Sequence, residues 1–286
     1  MSNLSAFQLS ACGHKDDQYS PRLQRILQTS FLNSTDPVPP SIQILGLRFL
    51  HGSAQEAAEQ VARTGGVLVV PAAPAMVRLQ RDAIYRQAML SADYAIPDSG
   101  LMVLTWKLLR GQSLPRVSGL AYLESLIRRP EFAEVGRTFF VLPSAEAREK
   151  LLAWSGAHHF RVTLDDCHVA PRYPLAVEDP ELLGRLEQRR PGHVIIAIGN
   201  GPQEKLGVYL RDHLSYRPAI HCIGAALGFL TGDQVAIPPW ADRLYLGWLL
   251  RLVAQPRIFI PRLTRAALLP WLILRYGPDM PPLSES

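Results

Sequence analysis

A carboxylate at the end of an apolar run is the strongest chemical signal in the sequence. Asp98 follows residues 92–97 and precedes Ser99 and Gly100, a pattern that predicts a buried strand ending in a tight turn. Ligands of open α/β sheets bind at the carboxyl ends of the strands, where such a carboxylate could take a proton from a substrate hydroxyl. The alternative is that Asp98 only caps the helix predicted from Leu101.

The loop after the most apolar predicted strand is the second candidate site. Residues 199–204 read Gly-Asn-Gly-Pro-Gln-Glu between that strand and a predicted helix. Glycines let a backbone approach a ligand closely, and a helix N-terminus presents free N–H groups to an anion. Gln203 could reach a ligand from the first turn, whereas Glu204 could simply interact with the helix dipole. With a third turn on the same edge, the predicted ligand-binding residues are Gly199, Asn200, Gly201, Gln203, Glu204 and Gly224.

Arginine supplies most of the positive charge. Of the 30 basic residues only four are lysines, and the formal net charge is +5. Guanidinium groups bind carboxylates and phosphates through paired hydrogen bonds and keep their charge when partly buried. Arg116, which follows Leu114 and Pro115, places such a cation in a loop. The composition therefore predicts phosphate-bearing ligands or an anionic membrane surface, and the lack of a recognisable nucleic-acid module argues against nucleic acid.

Other chemistries find weaker support. Asp165 and Asp166 resemble the acidic pair of metal-dependent sugar transferases, but no third ligand is evident, so no metal site is predicted. Residues 199–204 are neither a dinucleotide fingerprint nor a P-loop, and the nucleophile elbow of many hydrolases is absent. The three cysteines lie far apart without metal-ligand spacing, which indicates a reducing compartment.

Alternating apolar runs and helical patterns predict the fold class. Strands are predicted at 42–47, 67–70, 94–96, 138–142, 161–164, 193–198 and 219–223. Helices are predicted at 54–63, 76–90, 101–109, 122–128, 145–154, 180–190 and 204–213. This order predicts an α/β fold with a Rossmann-like, mostly parallel sheet and helices on both faces. The predicted organisation is a loosely ordered leader at 1–40, an α/β domain at 41–240 and a C-terminal amphipathic helical appendage at 241–286.

The C-terminal segment differs in character from the rest of the chain. Its longest uncharged run, residues 266–274, has nine residues, far below the roughly 20 apolar residues of a transmembrane helix. Arginines interleaved with tryptophan and leucine favour an amphipathic segment at a membrane surface. The alternative is a helical layer packed on the core with its arginines in water. The predicted acceptor or membrane contacts are Arg251, Arg257, Arg262 and Arg265.

Five short motifs follow one another along the chain. They are Ile-Pro-Asp-Ser-Gly at 96–100, Leu-Pro-Arg-Val-Ser-Gly at 114–119, Gly-Pro-Gln-Glu at 201–204, Ile-Gly-Ala at 223–225 and Gly-Trp-Leu-Leu-Arg at 247–251. In this order and spacing they resemble the WecG/TagA/CpsF family of bacterial glycosyltransferases, also called glycosyltransferase family 26. The likeness runs from about residue 42 to about residue 262. Members of the family build glycan precursors on undecaprenyl diphosphate lipids.

The resemblance implies a reaction and a place in the cell. A sugar would move with inversion from a UDP-sugar to an undecaprenyl-diphosphate-linked acceptor, without a metal or other cofactor, for exopolysaccharide, capsule or another surface glycan. Asp98 would deprotonate the acceptor hydroxyl, Arg116 would stabilise the departing diphosphate, and Gln203 would orient a substrate. The C-terminal arginines would reach the site from an appendage on the inner face of the cell membrane, in the cytoplasm. The sequence leaves open whether the protein forms a homo-oligomer.

Departures from the family pattern keep other hypotheses open. Residues 71–73 read Pro-Ala-Ala where most members have Thr-x-Asn, and the basic residue between Pro202 and Gln203 is missing. The lost polar groups favour a non-catalytic scaffold or regulatory binding protein of the same pathway. Asp98 and Arg116 persist, which favours an enzyme. A third hypothesis, a nucleotide-binding enzyme unrelated to membranes, predicts no binding to anionic vesicles.

Overall fold

A computed structural model of the protein describes residues 40–158, 160–233 and 256–284. The predicted leader, apart from Pro40, lies outside the described residues, and so does Arg251. Within the described parts no helix combines the length and apolar character needed to cross a membrane.

Eight strands form one sheet in the order β1-β2-β4-β3-β8-β7-β5-β6. Their bounds are Ser41–Ile44 for β1, Leu47–Leu50 for β2, Gly66–Val69 for β3, Tyr94–Ala95 for β4, Thr138–Leu142 for β5, Cys167–Val169 for β6, His193–Ile196 for β7 and Ala219–Cys222 for β8. Every neighbouring pair is parallel except β1 with β2. The predicted mostly parallel sheet is therefore confirmed.

Helices connect the strands. In the described residues they are α1 at Ala54–Thr64, α2 at Ala73–Arg78, α3 at Ala83–Ser91, α4 at Gly100–Arg110, α5 at Gly119–Ile127, α6 at Ala145–Ala157, α7 at Pro180–Arg189, α8 at Pro202–His213, α9 at Ala226–Leu230, α10 at Pro256–Ala266 and α11 at Leu269–Tyr276. Single 3₁₀ turns span Pro130–Ala133 and Leu164–Asp166.

The sheet separates two apolar cores. Along β3, Val67 and Val69 point into one core, and Leu68 and the next residue after the strand, Val70, belong to the other, because side chains alternate along a strand. The first core holds the buried faces of α2, α3, α4, α7, α8 and α11, and the second holds those of α1, α5, α6 and α9. Helices therefore cover both faces of the sheet, as the sequence predicted.

Three predicted elements differ from the structure. The run at 42–47 is a hairpin that turns at Leu45 (φ +48°) and Gly46 (φ +79°). The helix predicted at 76–90 is two helices, because Asp82 adopts extended backbone and its Oδ1 accepts the Tyr85 N–H at 2.8 Å. Each break therefore lies where a turn or cap, rather than hydrophobic periodicity, decides the local backbone.

The strand predicted at 161–164 was wrong. The chain turns at 164–166 because the Asp166 carboxylate accepts hydrogen bonds from the N–H and hydroxyl of Thr163, at 2.9 and 2.7 Å. The pairing strand follows that turn, and Cys167 lies opposite Phe140.

The C-terminal helices belong partly to the core. Leu269, Leu272 and Ile273 of α11 are fully buried, and α11 packs against α2 and α4. Beyond α11 the chain binds back to the body: the Leu45 N–H donates to the Gly277 carbonyl, and the Ser284 N–H to the Gln80 carbonyl. The alternative of a packed layer therefore describes α11, whereas α10 is exposed at most of its described positions.

Candidate active site

The carboxyl ends of β3, β4, β7 and β8 open into one cleft of about 590 Å³. The predicted site residues among those that line it are Asp98, Arg116, Gly199, Asn200, Gly224, Arg262 and Arg265. Three others, Gly201, Gln203 and Glu204, are not among its lining residues, and neither is Arg257. The structure thus brings together loops from four strands and two arginines from α10, as expected for ligand sites of open α/β sheets.

Asp98 lies in the loop between β4 and α4 and lines the cleft. Its Oδ1 accepts the Gly119 N–H at 3.2 Å. The N-cap of α4 is Ser99, whose Oγ accepts the Met102 N–H at 3.2 Å. The cap interpretation of Asp98 was therefore wrong, because the neighbouring Ser99 caps α4 and Asp98 lines the cleft.

Arg116 joins its own loop to the loop of Asp98. Its Nε donates to the backbone carbonyl of Asp98 at 2.7 Å, and its Nη2 lies 3.7 Å from the Asp98 Oδ1. Next to it, the Val117 N–H donates to the Pro97 carbonyl at 3.1 Å. These contacts fix a guanidinium and a carboxylate side by side at the cleft wall, with the cation oriented by a backbone oxygen.

Gln203 is fully buried below the cleft. Its Oε1 accepts the Gly224 N–H at 2.9 Å, while its Nε2 donates to Asn200 Oδ1 at 3.3 Å and to Glu204 Oε1 at 3.0 Å. One amide therefore ties the loop after β7 to the loop after β8, and both loops line the cleft. In this structure Gln203 positions Asn200 and Gly224.

The buried side chain of Glu204 accepts a hydrogen bond at the N-terminus of α8. Its Oε2 accepts the Gly201 N–H at 2.5 Å, and the Gln203 N–H donates to the Gly199 carbonyl at 3.3 Å. Complete burial raises the pKa of the Glu204 carboxyl above its ordinary value, against the opposing effect of these hydrogen bonds. Glu204 therefore takes up one N–H group at the start of α8 that an anionic ligand could otherwise bind.

Arg78 is a cleft residue that the sequence reasoning missed. Asp82 binds it through two nitrogens, with Nε and Nη2 at 3.0 and 2.5 Å from Oδ2, and its guanidinium lies over the Tyr85 ring at 4.9 Å. Its Nη1 lies so close to Gly201 that a Cβ there would clash with it. The available signal was the Arg78–Asp82 spacing of four residues, but contact with Gly201 depends on tertiary structure.

The cleft is strongly basic. The arginines that line it are Arg78, Arg81, Arg116, Arg262 and Arg265, and Asp98 is the one carboxylate among the described lining residues. Arg262 and Arg265 come from α10, which packs against α2, the helix that ends at Arg78. Arginine clusters bind the oxygens of phosphates and diphosphates, so the cleft has the chemistry of a diphosphate site with one candidate base.

The Thr-x-Asn departure lies at the cleft wall. Val70, Ala72, Pro74 and Ala75 line this side, and Ala72 is the N-cap of α2 without a side-chain cap bond. Of the three departing residues only the middle one, Ala72, lines the cleft, and Pro71 and Ala73 are not among its lining residues.

The acidic pair at 165–166 lies elsewhere. Asp165 is 83% exposed, and Asp166 binds Arg189 through Oδ1 at 2.5 Å. Neither aspartate lines the cleft, and the described residues hold no cluster of three or more potential metal ligands from histidine, cysteine, aspartate and glutamate.

The comparison with known families decides the broader assignment. The family model of the WecG/TagA/CpsF glycosyl transferases matches residues 42–280. The chain belongs to this family. No curated protein matches the chain. Family membership identifies the protein as a transferase of glycosyl groups and implies a nucleotide-sugar donor and an acceptor.

Substitution of Gly201 by alanine should disturb the cleft more than substitution of Gly199. Both glycines have positive φ angles, +104° and +94°, so each alanine should cost about 1–3 kcal/mol in backbone strain. Only at position 201 does the new Cβ meet Arg78, since Gly199 faces open space. Gly201→Ala should therefore weaken binding of inorganic diphosphate, measured by calorimetry, beyond any effect of Gly199→Ala. Equal affinities in the two variants would show that Arg78 takes no part in anion binding.

Proposed function

We propose that this protein transfers a sugar from a UDP-sugar to an acceptor linked to undecaprenyl diphosphate, with inversion at the anomeric carbon, in the synthesis of exopolysaccharide, capsule or another surface glycan. The observation that carries the proposal is the pairing of Asp98 with a cluster of five arginines in one cleft at the carboxyl edge of the sheet. Family membership supports the class of reaction.

Asp98 is the proposed general base. An inverting transfer needs a carboxylate that takes the proton of the acceptor hydroxyl while that oxygen attacks the anomeric carbon of the donor. Asp98 faces the cleft, and its Oδ1 is oriented by the Gly119 N–H. The carboxylate of Asp98 is the proposed proton acceptor.

The arginines are the proposed stabilisers of the leaving UDP. As the bond between the sugar and the β-phosphate breaks, negative charge develops on the diphosphate, and preoriented cations lower the energy of that state. Arg116 is held by the Asp98 carbonyl, and Arg78 is held by Asp82, so neither needs to reorganise during transfer. Gln203 supports the same step indirectly, because it positions Asn200 and Gly224.

Peripheral binding to the inner face of the cell membrane is the second part of the proposal. The acceptor carries a long lipid chain, so its diphosphate must reach the cleft from a bilayer. Arg262 and Arg265 line the cleft, whereas Arg257 of the same helix is exposed and lies outside the lining. We assign the first two to the acceptor or donor diphosphate and Arg257 to anionic lipid headgroups.

Replacement of Asp98 by asparagine should abolish transfer. Loss of a general base lowers kcat by about 10²–10⁴-fold, and the isosteric amide should leave the fold intact. The control is Ser99→Ala, which removes the α4 cap at a cost of about 1 kcal/mol of stability but should retain turnover. UDP release in the presence of acceptor measures both. Near-wild-type turnover in Asp98→Asn would exclude Asp98 as the base. A wild-type protein that binds UDP-sugars yet transfers no sugar would support the scaffold hypothesis instead.

Transfer should persist in excess chelator. The proposal assigns the stabilisation of the leaving diphosphate to arginine, so EDTA should not change the initial rate. Loss of activity with EDTA and recovery with Mg²⁺ or Mn²⁺ would overturn the metal-independent mechanism.

The α10 arginines should separate into two functional classes. Arg262→Gln with Arg265→Gln should lower kcat/KM by about 10²-fold even with a water-soluble, short-chain acceptor, because both residues line the cleft. Arg257→Gln should keep that activity and weaken binding to anionic vesicles, with a smaller difference at high salt. If Arg257→Gln lowers the soluble-acceptor rate as strongly as the double variant, the division between cleft and membrane is wrong.

A further inference from the structure

An exposed row of leucines runs along α4. Leu101, Leu104 and Leu108 are 38%, 52% and 85% exposed. Their spacing of three and four residues places them on one side of the helix. The opposite side is buried through Met102 and Trp106, so the exposed row is not the face with which α4 contacts the core. Single exposed leucines are ordinary, but an ordered row requires an explanation.

A second exposed apolar pair lies on the helix beside it. Trp271 and Leu274 of α11 are 52% and 62% exposed. Because α11 packs on α4 and is anchored by buried residues such as Leu272, its exposed side is fixed relative to the protein body. We call Leu101, Leu104, Leu108, Trp271 and Leu274 together the α4–α11 face.

The charged residues on the two helices of this face are all positive. Neither α4 nor α11 contains an aspartate or glutamate, and the exposed cations on them are Lys107, Arg110 and Arg275. Leucine and tryptophan combined with basic residues are typical of helices that lie in the headgroup region of anionic membranes. A symmetric contact between two copies would bring these cations together with no carboxylate of either helix to pair with them, which disfavours a second copy as the occupant.

We propose that the α4–α11 face inserts into the headgroup region of an anionic bilayer, so that the α/β body itself, and not only the C-terminal segment, binds the membrane. This inference rests on the proposed use of a lipid-linked acceptor. Membrane binding through this face would also orient the proposed active site relative to the bilayer. Helix α4 begins directly after Ser99, and Leu108 lies about 12 Å along the helix from Gly100, so the membrane contact is rigidly connected to the loop that carries Asp98.

Binding to vesicles of phosphatidylglycerol tests the proposal on the full-length protein. The variant Leu104→Glu with Leu108→Glu should lose at least about tenfold in vesicle affinity by co-sedimentation, because two apolar contacts become negative charges next to anionic lipid. The matched control is Leu164→Glu with Leu175→Glu. Those leucines are 61% and 73% exposed on either side of β6, at the far edge of the sheet from β4. The control should bind vesicles as the wild type does.

Three further measurements exclude other reasons for a loss of vesicle affinity in the α4 variant. Transfer to a water-soluble acceptor and the midpoint of thermal unfolding should be unchanged in the α4 variant. A large fall in the midpoint would show that the leucines pack against the chain itself and would overturn the proposal. A shift from dimer to monomer in light scattering, with vesicle binding retained, would assign the face to a second copy.

The test also separates this inference from the proposed function. If the wild type binds vesicles and the α4 variant binds them equally well, the α4–α11 face is refuted, whereas the proposed lipid-linked acceptor is not. Wild-type transfer to the soluble acceptor without any vesicle binding would refute the membrane face but not the transferase. Absence of transfer to every acceptor, with vesicle binding lost only in the α4 variant, would refute the proposed reaction and support the face.

Discussion

The parallel pairing of β3 with β8 is the constraint on which the cleft depends. Four residue pairs, from Gly66 opposite Ala219 to Val69 opposite Cys222, bring together loops that are about 150 residues apart in the chain. Helix α8 can lie close over both strands because Gly207 has no side chain, and a Cβ there would come within 2.8 Å of the Cys222 Sγ. Without this pairing the wall after β3 and the turn at Gly224 would not share a site.

Below the cleft, two adjacent polar residues decide how an anion can be bound. Gln203 and Glu204 are fully buried, and burial without partners would be costly, so their hydrogen bonds to Gly224 and Gly201 also fix the loops. This arrangement makes a rigid floor but uses the N–H group that a phosphate would otherwise find at the helix start. Arginines that enter the cleft from other elements supply positive charge, and their guanidinium groups are directional donors that can bind an anion through two nitrogens.

The sequence predicted which residues line the cleft better than it predicted the contacts of those residues. Strand-end position alone placed Asp98, Asn200 and Gly224 on one edge, and the structure places all three in the cleft, because parallel strands share a direction. Sequence reasoning could not show that Ser99 caps α4, since aspartate and serine are equally good caps. It could not find the contact of Arg78 with Gly201, because that contact joins two helices from different halves of the chain. The misplaced strand before Cys167 has a local cause, a side-chain turn that overrides apolar periodicity.

Packing of the C-terminal helices links the apolar core, the arginines of the cleft and the position of α4. Buried leucines of α11 complete the core, α10 contributes Arg262 and Arg265 to the cleft, and α4, which packs on α11, begins beside the proposed base. Deletion of the whole segment would therefore remove core side chains together with cleft cations, and a loss of activity would not identify its cause. Substitutions at exposed positions separate the effects, because they leave the buried side of each helix unchanged. The packing of α10 and α11 on α2 therefore supports two features at once: it places Arg262 and Arg265 in the cleft, and with the contact of α11 on α4 it orients the α4–α11 face.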